Sequence, residues 1–169
     1  TSRLLRGAKR GWAFLFPVLM VIWVNSHGTF PLGIFFIGLW LGQEAWDYCR
    51  AKIASRNGAG SARVIYAMLI FILSLLACLI NPRGWEVIEY LRSLIGNSVV
   101  QTLVIEWAPP PFETLGGGLF LAALLLSAAI LAVTPRRITF YQFFSFVGVA
   151  ILALYTSRGI VWFGLVVAP

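Results

Sequence analysis

The sequence predicts an all-α membrane protein, a polytopic bundle of about five transmembrane helices with one short interfacial helix. Of its 169 residues, 60% are hydrophobic and only 11% are charged, whereas a soluble domain has about a quarter charged residues. The mean hydropathy is +0.88, and the apolar residues fall into long blocks separated by short polar connections. These observations exclude soluble globular classes and predict one transmembrane domain over residues 1–169.

The net charge of +7 does not indicate nucleic-acid binding, because ten of the 13 basic residues lie in alternate connections. Positive connections stay on the cytoplasmic side of a membrane. We therefore expect residues 1–10, 48–63 and 135–137 to be cytoplasmic, and residues 25–30 and 82–115 to face outward. The basic residues concerned are Arg3, Arg6, Lys9, Arg10, Arg50, Lys52, Arg56, Arg63, Arg136 and Arg137.

Five apolar blocks have nearly the length that a membrane span requires, about 17–25 residues. The first is short and is interrupted by Pro17, and the second contains Gly38 and Gly42 in a spacing that permits close helix packing. The chain starts without Met and ends in an apolar run, so we expect it to be part of a longer protein. The predicted spans are about 11–25, 31–47, 64–81, 116–134 and 138–157. After Arg158 the chain either returns into the membrane or continues a broken helix.

The outer connection, 82–115, has structure of its own. Apolar residues recur in it at helical spacing, at Trp85, Ile88, Leu91 and Ile95. Glu86 and Glu89 take another face, so this segment predicts an amphipathic helix lying in the membrane interface. Residues 98–105 are rich in β-branched side chains and fit either a strand or buried coil, and the three prolines 109–111 must be extended.

Four polar motifs separate the apolar blocks, and counting spans places all of them on the outer side. Membrane proteins avoid polar groups near hydrocarbon unless those groups line a cavity or a site. The motifs therefore give the position of a candidate functional site. They are WVNSHG at 23–28, NPRGW at 81–85, EWAPPP at 106–111 and SRG at 157–159.

His27 and Glu106 are the candidate catalytic residues. His27 is the only histidine, and it fits either a hydrogen-bonded structural role or a role as ligand or base. Glu106 precedes Trp107, and a packed ring would desolvate its carboxylate and suit it to act as a general base or a metal ligand. The alternative is a solvated interfacial glutamate.

Arg158, Arg83, Asn25 and Trp107 are the candidate substrate-binding residues. Arg158 stands between two apolar blocks, where an arginine needs a paired anion, and its planar fork suits a phosphate. A lipid headgroup and a phosphorylated lipid substrate are both possible partners, and Arg83 has the same options. We expect Asn25, His27, Glu106 and Arg158 to approach one another, with at least one hydrogen bond among them.

Taken together, the motifs resemble those of a large group of bacterial multi-span membrane proteins, often grouped with GT-C-type glycosyltransferases. The resemblance covers about residues 12–169. It implies a helical membrane core in the bacterial cytoplasmic membrane, with an outward-facing site that takes a sugar from a polyprenyl-phosphate carrier. The residues that carry it are Trp23, Asn25, His27, Gly28, Asn81, Pro82, Gly84, Glu106, Trp107, Pro109, Pro110, Arg158, Ile160, Trp162 and Phe163.

One departure separates this chain from that group. GT-C enzymes place acidic catalytic residues in the first outer loop, and residues 25–30 contain neither Asp nor Glu. Either that loop lies upstream of this chain, or the protein is not a transferase. The alternative function is a non-catalytic subunit of a larger energy-transducing or photosynthetic membrane complex, whose apolar faces contact lipids, pigments or other subunits.

Overall fold

The computed structural model describes residues 10–54, 60–95 and 104–167, and regular structure in those ranges is helical throughout. The chain forms two compact units, Thr1–Ser93 and Leu94–Pro169. The expectation of an all-α protein is confirmed for these residues, while the single transmembrane domain over 1–169 stays a prediction. The possible strand at 98–103 and the basic residues 1–9 lie outside the described ranges.

Unit one contains three apolar helices and a shorter fourth one. A 3₁₀ turn, Arg10–Phe14, leads into α1 (Leu15–Ser26), which is followed by α2 (Phe30–Ile53) and α3 (Ser61–Ala77); a second 3₁₀ turn, Gly84–Glu86, leads into α4 (Val87–Ile95). α3 packs against both α1 and α2. The core of the unit is made of Met20, Phe30, Ile37, Ile70, Ala77, Cys78 and Val87.

The predicted amphipathic helix is present, but one residue was wrongly assigned to its apolar face. Ile88 and Leu91 pack against the core and Glu86 and Glu89 are exposed, as expected. Trp85, however, is 74% exposed, and Val87 is buried in its place. The reason is local geometry: Trp85 lies in the 3₁₀ turn, which has three residues per turn, so its side chain leaves the α-helical face.

Glycines in α2 permit close packing of the helices in unit one. A Cβ on Gly33 would lie 2.6 Å from the sulfur of Met20 and 3.0 Å from the Trp23 ring, both on α1. A Cβ on Gly38 would lie 3.3 Å from the Phe71 ring on α3. Small residues at helix contacts let backbones approach closely, so Gly38 has the packing role that its spacing predicted.

Unit two contains α5 (Leu115–Val133), α6 (Phe140–Tyr155) and α7 (Gly159–Val167). Thr114 caps α5 by accepting a hydrogen bond from Gly117 N, and Thr139 and Gln142 form a capping box at α6. Phe163 on α7 stacks edge-on against Phe120 and packs near Phe146. α7 therefore folds back against α6, while a return of the chain into a membrane after Arg158 stays a prediction.

Among the described helices, α5 alone is both long and apolar enough to cross a membrane, with 19 residues and a mean hydropathy of 2.3. Its length of roughly 28 Å is close to the hydrocarbon thickness of a bilayer. The segments Gly11–Ser26, Ser61–Ala77 and Phe140–Tyr155 are apolar but shorter. All five expected spans correspond to helices, while the multi-pass arrangement stays a prediction.

Two neighbouring glycines in α5 make a matched test of this packing. A Cβ on Gly117 would overlap the backbone carbonyl of Pro111, whereas a Cβ on Gly116 meets no described atom within 4 Å. Because overpacking against backbone costs about 1–3 kcal/mol, we expect Gly117→Ala to lower the unfolding free energy by that amount. Gly116→Ala should leave it unchanged or raise it by up to about 1 kcal/mol. Reversible unfolding in mixed micelles measures the unfolding free energy of each variant. Equal values for the two variants would contradict the close contact between Gly117 and Pro111.

Candidate functional site at the polar helix ends

In unit one, Asn25 joins the first polar motif to the second. Its Nδ2 donates to Val21 O at 2.7 Å, within α1, and to Ile80 O at 2.8 Å, just beyond α3. The carboxyl ends of α1 and α3 therefore lie side by side. The two motifs meet at one end of the unit, as the span count predicted.

The second motif is a tight turn built around Asn81. Its Nδ2 donates to Cys78 O and Gly84 O, at 2.8 and 3.1 Å, and its Oδ1 accepts from Arg83 N at 2.8 Å. Gly84 has φ +51°, a left-handed conformation that favours glycine. Asn81 thus satisfies the backbone where α3 ends, a role that the sequence analysis did not assign to it.

Arg83, carried by this turn, extends from the polar end of unit one. Its Cζ lies 5.2 Å from the centre of the Tyr90 ring on α4, a cation–π distance. The residue is exposed, so its guanidinium keeps access to an anion.

His27 lies in the turn between α1 and α2, hydrogen-bonded to the residue at the start of α2. Its Nδ1 accepts from Thr29 N at 3.1 Å and lies 2.8 Å from Thr29 Oγ1. Thr29 Oγ1 in turn lies 3.3 Å from Trp23 Nε1, which donates to it. Sequence reasoning missed Thr29, although a threonine two residues before Pro31 is a typical signal of a helix start.

In unit two, Arg158 and Glu106 form a direct ion pair across 52 positions of the sequence. Arg158 Nε donates to Glu106 Oε2 at 2.5 Å, and Arg158 N donates to Glu106 O at 3.2 Å. The guanidinium Cζ lies 6.0 Å from the Trp107 ring centre. The expected hydrogen bond among the four candidate residues is thus present, and three of the predicted site residues come together here.

Of the two alternatives for Glu106, its exposure in this unit favours the solvated carboxylate over the desolvated one. Its side chain is 60% exposed, and that of Arg158 is 43% exposed. The Trp107 ring lies beside the arginine, and the partner of the carboxylate is a cation. Glu106 is therefore an exposed carboxylate that is paired with a cation.

The turn between α6 and α7 sets the position of Arg158. Ser157 donates from N and from Oγ to Ala108 O, at 2.9 and 3.0 Å. Gly159 begins α7 so close to Ala153 that a Cβ would overlap the backbone of that residue. The third and fourth motifs therefore meet at one end of unit two through backbone and side-chain bonds.

The pairing leaves part of the guanidinium available. Arg158 uses Nε for Glu106, and within the described part of unit two its terminal nitrogens have no acceptor. Two such nitrogens match the oxygens of a phosphate. Among the described residues of the whole chain, no three His, Cys, Asp or Glu side chains gather as a metal site would require.

The four-residue cluster stays a prediction, because Asn25 and His27 belong to unit one and Glu106 and Arg158 to unit two. Comparison with protein-family models, with curated proteins and with solved structures finds no match to this chain.

A double-mutant cycle measures the strength of the Glu106–Arg158 pair. Because both side chains are partly exposed, we expect a coupling free energy of about 0.2–1 kcal/mol. Glu106→Gln, Arg158→Ala and the double variant would be unfolded reversibly in mixed micelles. Glu113→Gln, which changes another exposed glutamate, serves as the control and should show no coupling to Arg158→Ala. Zero coupling for Glu106 would contradict the pairing.

Proposed function

We propose that this chain is a multi-pass protein of a bacterial cytoplasmic membrane and forms the membrane core of a glycosyltransferase. The donor would be a sugar carried on a polyprenyl phosphate. Two observations support this proposal. The polar motifs resemble those of such enzymes, and in each unit two of these motifs lie together at one end. Membrane lipids are the expected surroundings of the apolar helix surfaces.

The main support for the proposal is that the terminal nitrogens of Arg158 are available to bind an anion. It stands at the turn between two apolar helices, positioned by Glu106 and Trp107, with its terminal nitrogens directed to no acceptor in the described part of unit two. A phosphate diester or monoester on a lipid would satisfy both nitrogens at the membrane boundary. At the polar end of unit one, Arg83 would hold a lipid phosphate of its own, and Asn25, whose Nδ2 donates to Val21 O and Ile80 O, would hold the helix ends beside it.

The orientation proposed for the membrane follows from the opposite ends of the units. Arg50 and Lys52 lie in the last turn of α2 and Arg63 in the first turn of α3, away from Asn25 and Asn81. In unit two, the connection with Arg136 and Arg137 joins the far ends of α5 and α6. Under the positive-inside rule these basic ends and the N-terminus would be cytoplasmic.

Glu106 and His27 are the proposed catalytic groups. Glu106 uses Oε2 for Arg158, and its Oε1 makes no hydrogen bond within the described part of unit two. That oxygen is the atom that would accept a proton from the attacking hydroxyl. His27 is exposed in the turn at the polar end of unit one.

The second candidate function, a non-catalytic subunit of a larger membrane complex, is favoured by the surface of α5. Only 11% of its span is buried, and Leu119, Leu125, Leu126 and Ile130 are more than half exposed. Apolar helices of other subunits could cover this surface of α5 in place of lipid chains. Purification from native membranes with a stoichiometric partner, and without polyprenyl-phosphate binding, would favour this function.

Lipid binding by the full chain in nanodiscs tests the proposed transferase. We expect polyprenyl phosphate to bind more tightly than polyprenol, which lacks the phosphate. Arg158→Ala should weaken phosphate-lipid binding roughly 10- to 150-fold, the effect of losing charge-assisted hydrogen bonds. Arg158→Lys should fall between, because lysine keeps the charge and loses the planar fork.

Arg136→Ala is the matched control, since it removes an equal charge from the other end of unit two. It should bind the lipid as the unaltered chain does. Equal losses in Arg136→Ala and Arg158→Ala, or equal affinity for polyprenol and its phosphate, would contradict the proposal.

A further inference from the structure

The hydrogen bonds around His27 determine which of its nitrogens carries the proton. The backbone N–H of Thr29 can only donate, and it lies 3.1 Å from Nδ1. Thr29 Oγ1 lies 2.8 Å from the same nitrogen. Nδ1 must therefore act as an acceptor toward the backbone. In a neutral imidazole one nitrogen accepts and the other donates, so the hydrogen is on Nε2.

Trp23 adds one more hydrogen bond to this series and determines the direction in which the Thr29 hydroxyl donates. The indole Nε1 is a donor only, and it lies 3.3 Å from Thr29 Oγ1. Once the hydroxyl oxygen accepts from the indole, its own hydrogen is directed to His27 Nδ1. All three bonds then run in one direction, from Trp23 through Thr29 to His27.

We infer that Trp23 and Thr29 are positioning residues that hold His27 as the Nε2–H tautomer, so that His27 donates a hydrogen bond to an anionic oxygen. A general base at Nε2 needs a lone pair there, and the chain of bonds places the lone pair on Nδ1. This inference gives His27 a more specific role in the proposed function. The identification of the anionic oxygen as that of a phosphate rests on the proposed function. The adjacent start of α2 adds a positive helix end, which favours an anion at the same place.

Nitrogen NMR on the full chain in nanodiscs tests the tautomer. The chain has one histidine, so histidine-selective ¹⁵N labelling gives a single imidazole pair. In the neutral imidazole we expect Nδ1 unprotonated and Nε2 protonated. Thr29→Val and Trp23→Phe should each raise the Nδ1–H share roughly 2- to 10-fold, through the loss of one neutral hydrogen bond.

Thr29→Ser is the conservative control and should keep the unaltered tautomer, because it retains the hydroxyl. A protonated Nδ1 in the unaltered chain, or identical tautomer shares in Thr29→Val and Thr29→Ser, would overturn the inference. The measurement needs neither sugar nor acceptor, so it separates this inference from a failure of the transferase proposal.

Two probes test the donor role. Inorganic phosphate and a micellar prenyl phosphate would be titrated separately while the Nε2 resonance is followed. A shift of Nε2–H with Nδ1 still unprotonated supports the role; a response to both probes assigns it to the phosphate group, and a response to the prenyl phosphate alone to the lipid. A resonance that neither probe moves would overturn the donor role.

Discussion

The structure depends on one constraint: polar backbone groups at the ends of apolar helices need hydrogen-bond partners, because neither hydrocarbon nor a protein core supplies them. Three side chains meet this requirement at the polar ends of the two units. Asn25 binds the carbonyl of Ile80, Asn81 binds the carbonyls of Cys78 and Gly84, and Ser157 binds that of Ala108. The bonds of Asn25 and Ser157 also bring motifs that are far apart in sequence to one end of each unit.

The candidate site is a consequence of these helix ends. Arg158 can form its pair with Glu106 because Ser157 holds the turn against residue 108 and because Gly159 lets α7 start beside Ala153. In unit one, the turn that places His27 beside Thr29 is also the start of α2. Structural and functional roles therefore share the same residues, and a variant at Ser157 or Thr29 changes both. The structural and functional roles can be separated by variants that keep the hydroxyl or the charge but change the length of the side chain.

The sequence predicted most of the helices and the position of the polar motifs between them. Hydrophobic block lengths, charge alternation and helical periodicity are regular signals, and they predicted α1 to α6, although α2 continues to Ile53, six residues beyond its expected end at 47. Trp85 was misplaced because a 3₁₀ turn precedes α4, and short turns leave no periodic signal. Glu106 was expected to be desolvated by its neighbour Trp107, but its partner is Arg158, 52 positions away. Such long-range pairs, and the role of Thr29, depend on packing that no local pattern contains.

We propose that in each unit, taken by itself, the polar helix ends face outward and the basic ends face the cytoplasm. Labelling of single cysteines with a membrane-impermeant maleimide, in sealed right-side-out vesicles, measures this most directly. The native Cys49 is exposed and lies near the basic end of α2, whereas Cys78 is buried and can be replaced. Ser26→Cys and Glu113→Cys report the polar ends, and Arg136→Cys reports the basic end of unit two. The account predicts external labelling at Ser26→Cys and Glu113→Cys, and labelling at Cys49 and Arg136→Cys only after permeabilisation. External labelling at both ends of either unit would contradict it.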